Sequence, residues 1–130
     1  MNRTNLKMLI KKMKQLKEKK KYMYYNQEHY THDCGTPSCI GGHAAALSLA
    51  RSKVFFGRPE AFNIHHALKK NVKSCRDIAS EWLDLNPCQE ENLFAANPLQ
   101  DGGGPPTIDD AITTLEFLFK TGDVCWQRRY

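Results

Sequence analysis

The run Cys34-Gly35-Thr36-Pro37-Ser38-Cys39-Ile40-Gly41-Gly42-His43-Ala44-Ala45-Ala46 limits the fold more than any other stretch, because it joins a helix start to a run of small side chains. A threonine hydroxyl accepts from an orphan amide of a first helical turn, and proline at the first helical position has no amide to lose. Thr36-Pro37 therefore predicts a helix over 37–53, broken at Val54-Phe55-Phe56-Gly57. Gly41 and Gly42 each cost a helix about 1 kcal/mol relative to alanine. Their small size must serve something else, most simply the close approach of another backbone. The rest of the chain is expected to pack around this central helix.

The same run carries side chains capable of chemistry. Counting from Pro37, Cys39 falls in the first turn, where unpaired amides and the positive end of the helix dipole favour a thiolate. His43 follows by four residues on the same face, and Cys34 lies just upstream. Three readings stay open. The cysteines are small buried hydrophobes in a packing hub. Alternatively, Cys39 is the nucleophile of a cysteine enzyme, although no oriented histidine and amide or carboxylate partner is visible, and His43 on the same helix is badly placed to take its proton. The third reading is a zinc-stabilised module with Cys34, Cys39, His43 and His32 as ligands, or His29 in the place of His32. The four residues between the cysteines are at the wide end of the about two to four that zinc sites tolerate. The plain reading of His29 and His32 is a pair of exposed loop histidines.

Charge is distributed unevenly. The chain of 130 residues carries +5, yet residues 1–21 hold nine basic side chains against Glu18, which leaves the remainder about −3. Leu6, Leu9, Ile10, Met13 and Leu16 form a narrow apolar stripe at helical spacing, so a basic amphipathic helix is predicted within 1–24. Its other faces carry Lys7 and the candidate binding residues Lys11, Lys12, Lys14, Lys17, Lys19, Lys20 and Lys21, followed by Tyr24 and Tyr25. Such a surface attracts nucleic acid or an acidic protein face, and aromatics among basic residues can stack bases. Lysine clusters bind phosphate without reading sequence, so nucleic-acid contact here should be weak and salt dependent. The plain alternatives are a solvated helix face and tyrosines that cap the core.

Further along, Glu60 to Asn71 suggests a short helix holding His65 and His66, which point too far apart to share one metal. Ser74 with Asp77, Asn86 with Pro87, and Thr107 with Asp110 are helix-start signals. They predict helices ending near Leu85, before Pro98 and at Thr121, with Gly122 as the left-handed terminus of the last. Cys75 and Cys88 are expected to be packing residues, and Val124 and Trp126 to return to the core. The Gly/Pro-rich 99–106 is the irregular connection, without the lysine and hydroxyl residue of a phosphate loop. The fold expected is all-α, a single domain over 1–130 of about five or six helices around the Gly/Ala-rich helix. No apolar run approaches a membrane span, the lysine-rich start lacks the apolar segment of a signal peptide, and five cysteines cannot all pair within one molecule. A reduced cytoplasmic protein is expected.

The segment CGTPSCIGGHAA resembles the CGTxxCxxGxA motif of a family of small bacteriophage and bacterial proteins. Tyr22 to Tyr25 resembles that family's aromatic-plus-methionine element, Leu93-Phe94 its LF pair, and Thr121 to Trp126 its closing TGxVxW element. The resemblance covers most of the chain and implies a phage connection without a mechanism. Family members often carry tryptophan at the place of His43, which argues against a zinc set that requires it. The function expected is a non-catalytic interaction protein, phage-encoded, that binds a host protein or nucleic acid through the basic helix and nearby tyrosines. Inhibition of a host defence system is one version of it.

Overall fold

The computed structural model describes residues 1–19, 25–27, 39–51, 74–95, 98–99 and 106–126, and all described secondary structure is helical. Among the described residues five helices follow in order: α1 (Arg3–Glu18), α2 (Ile40–Arg51), α3 (Cys75–Leu83), α4 (Pro87–Leu93) and α5 (Ile108–Thr121). The all-α expectation holds among the described residues. The helix expected between Glu60 and Asn71, with His65 and His66, lies outside them.

α1 buries the stripe read from its spacing, Leu6, Leu9, Ile10, Met13 and Leu16. It packs against α5, whose Ile108, Ala111, Ile112, Leu115 and Leu118 are buried in the same core. The two helices are antiparallel: Arg3, at the start of α1, donates to the Phe119 carbonyl near the end of α5, while Lys17 pairs with Asp109 at the other end. The N-terminus of α1 also closes the end of α3. Asn2 N donates to Leu83 O at 2.8 Å and Asn5 Nδ2 to Trp82 O at 2.7 Å, satisfying carbonyls that the helix end leaves without partners.

α2 is the buried centre. Ile40, His43, Ala44, Ala45 and Ala46 are at most 1% exposed. It packs closely on α3, and the Cys75 Sγ donates to the Gly41 carbonyl at 3.9 Å, so the start of α3 lies against the glycine turn. This is the close approach that the paired glycines called for.

The local start and stop signals are present. Ser74 accepts from Asp77 N, and Asn86 and Thr107 form reciprocal capping boxes with Gln89 and Asp110. Gly122 ends α5 at φ 81°, and α3 ends on Asp84 at φ 53°, a left-handed terminus on a non-glycine residue. Val124 and Trp126 pack partly buried on the core, and Trp126 Nε1 donates to Asn92 O at 3.0 Å.

Two expectations are corrected. Cys39 is not inside a helical turn, because α2 begins at Ile40 with Cys39 as its cap: the Cys39 carbonyl accepts from His43 N at 2.9 Å. Cys88 does not pack in the core. It is exposed on the first turn of the short α4, which buries only Leu93.

Candidate functional site

The motif stretch builds a buried polar cluster. Cys39 is 2% exposed, and its Sγ accepts from Gly42 N at 3.4 Å, the role that an oxygen side chain usually fills at a helix start. The neighbouring orphan amide, Ile40 N, is taken at 3.3 Å by Oε1 of Gln27, which also accepts from the Tyr25 hydroxyl at 3.0 Å. The Gln27 Nε2 donates to Leu93 O at 3.1 Å and Ala95 O at 3.0 Å. One glutamine, 2% exposed, thus ties the start of α2 to the end of α4. His43 and Asp110 are also buried; the Asp110 carboxylate acts on Tyr25 and accepts from Thr107 N at 2.9 Å in its capping box.

Burial sets the electrostatics of this cluster. Desolvation pushes the Cys39 thiol up from 9.0 to about 11, against the lowering effect of hydrogen bonds from the Gly42, Gly41 and Cys39 amides. Cys75 is pushed up to about 12, by burial first and by Cys39 second. Tyr25 is raised well above 10.0 by burial, then by Cys39 and Asp110. At neutral pH all three are protonated. The helix-start amides do act on Cys39, as its position suggested, but they are outweighed by the loss of water.

Of the zinc set, Cys39 and His43 are described and both are buried, while Cys34 and His32 lie outside the described residues. Among the described residues no three histidine, cysteine or acidic side chains converge as metal ligands. Tyr25 is 9% exposed with its hydroxyl bonded inside, so its ring packs against the core and does not stand open for stacking. Tyr24, Lys20 and Lys21 lie outside the described residues.

The lysines of α1 divide by partner. Lys17 pairs with Asp109, and Lys14 Nζ sits 3.7 Å from Glu116 Oε2, both pairs reaching across to α5. These side chains are about half exposed, so each pair contributes about 0–1 kcal/mol and weakens with salt. Lys12 is half-buried, and Lys19 caps the end of α1. Lys7 and Lys11 make no ion pair with any described residue.

Those two lysines border a groove of about 1120 Å³ along the outer face of α1 and α5, open to solvent. Met8 and Phe117 give it an apolar lining, and Lys7, Lys11, Lys14 and Lys120 surround it. Glu18 and Glu116 also line it, which leaves the rim two positive charges in excess. Phe117, 41% exposed, is the one large hydrophobic side chain left open among the described residues. Sequence reasoning singled out neither Phe117 nor Lys120. The available signal was phase: Phe117 falls outside the stripe of Ile108, Ala111, Ile112, Leu115 and Leu118 that faces α1.

Comparison of the chain with protein-family models, curated proteins and solved structures finds no match.

Proposed function

We propose that this chain is a non-catalytic interaction protein that docks an anionic surface of a host macromolecule onto α1. The observation that carries the reading is the division of the lysines. The acids of α5 hold Lys14 and Lys17, while Lys7, Lys11 and Lys120 stand unpaired among the described residues around an apolar groove. Charge arranged in this way steers an oppositely charged partner and fixes its register. No described helix is long and apolar enough to cross a membrane. The motif resemblance supports a phage protein acting in the host cytoplasm, with a component of host defence as one version of the partner. A nucleophilic Cys39 draws no support from a thiol that is buried and protonated at neutral pH.

The test is capture from host lysate by the immobilised protein, beside a variant with Lys7→Glu, Lys11→Glu and Lys120→Glu. These side chains are exposed, so the helical circular-dichroism spectrum should persist. Loss of the captured partner is expected. Capture of the same partner in the same amount by the variant would contradict the reading.

A further inference from the structure

We infer that the groove between α1 and α5 seats an acidic amphipathic helix of a partner protein, with an apolar side chain of that helix set against Phe117. This rests on the docking role just proposed for α1 and names the partner's chemistry. Four features argue for it. The groove, about 1120 Å³, exceeds the roughly 300–1,000 Å³ of ordinary small-molecule pockets. Two antiparallel helices form its walls, so it runs lengthwise, the shape into which a third helix lays one face. The lining is apolar at Met8 and Phe117, with Phe117 left 41% exposed. The rim has four lysines against Glu18 and Glu116.

The mixture decides between acidic protein and nucleic acid. A phosphate backbone gains from the lysines alone and leaves the apolar lining of Met8 and Phe117 without a partner. An amphipathic helix with acids on its flanks uses both parts of the surface: its apolar face covers Phe117 and Met8, and its acids reach Lys7, Lys11 and Lys120. Aromatic anchors in apolar centres with charged rims are how protein interfaces concentrate their affinity.

Fluorescence anisotropy with a labelled peptide tests this. The peptide is as long as α1, 16 residues, with leucine and phenylalanine at helical spacing and glutamates on the flanks. A control keeps every glutamate and replaces each apolar residue by glutamine. The whole protein is expected to bind the amphipathic peptide, to bind the control about tenfold more weakly, and to lose about tenfold on Phe117→Ser, which alters an exposed side chain. Lys7→Glu with Lys11→Glu should weaken binding by at least as much.

The inference is overturned by absence of binding, by equal affinity for the control or for a single-stranded oligonucleotide, or by indifference to Phe117→Ser. Sedimentation of the protein alone adds one more arm: a dimer that Phe117→Ser dissolves would put a second copy of this chain in the groove and overturn it as well. Lysate capture separates the two readings. Capture lost on lysine reversal but untouched by Phe117→Ser sinks the helix-in-groove inference and leaves the docking role standing.

Discussion

At Cys39 two opposed effects act on one sulfur. Helix-start amides pull its proton off and burial holds it on, and burial prevails, leaving the thiol near 11. An unfolded thiol loses its proton near 9.0 and the folded one near 11, so between those values the folded state binds more protons and stability falls as pH rises. The contribution is fully present below pH 9.0 and lost through about 11, on the order of 2–3 kcal/mol for Cys39, with Cys75 acting in the same direction up to about 12. Chemical denaturation at a series of pH values should show this alkaline loss, and Cys39→Ala should make it shallower. An unchanged slope would contradict the burial assigned to Cys39. Legibility at this scale was uneven. That Cys39 sits at a helix start could be read from Thr36-Pro37, but not that Cys39 itself is the cap, with Gln27, 13 residues upstream of Ile40, taking the adjacent amide. Gln27 gave no local signal, since apart from Tyr25, two residues before it, its other partners lie 66 and 68 residues away. Cys88 was misplaced for a related reason: a short helix buries too few positions for spacing to say which side chains are inside.

The helices show the opposite pattern, because caps are interactions over three residues and the spacing of their partners is visible in the chain. Ser74, Asn86, Thr107 and Gly122 each act where the sequence indicated. The capping box of α5 is the one with the most consequence. Asp110 is fully buried, and its carboxylate accepts from Thr107 N, while Thr107 accepts from Asp110 N at 3.3 Å. Thr107→Ala removes one half of that exchange and is expected to lower unfolding free energy by about 1 kcal/mol, measured by urea denaturation. A variant as stable as the wild type would mean that the box contributes nothing to α5. The stripe of α1 was equally plain, since it follows the period of the helix.

How the helices are arranged decides what the molecule presents to a partner, and this was beyond the reach of periodicity. The basic character of α1 was evident, but which lysines the fold would neutralise depended on α5 lying antiparallel beside it, with Asp109 and Glu116 within reach of Lys17 and Lys14. That pairing leaves Lys7 and Lys11 on the groove and adds Lys120 and Phe117 from a helix near the other end of the chain. The central claim is that this lysine-bordered face is where the partner sits. Lysine footprinting of the protein with and without its captured partner, by acetylation and peptide mass spectrometry, tests it most directly. Protection of Lys7, Lys11 and Lys120 on binding is the result predicted; equal acetylation of all three in the bound and free protein would contradict the account.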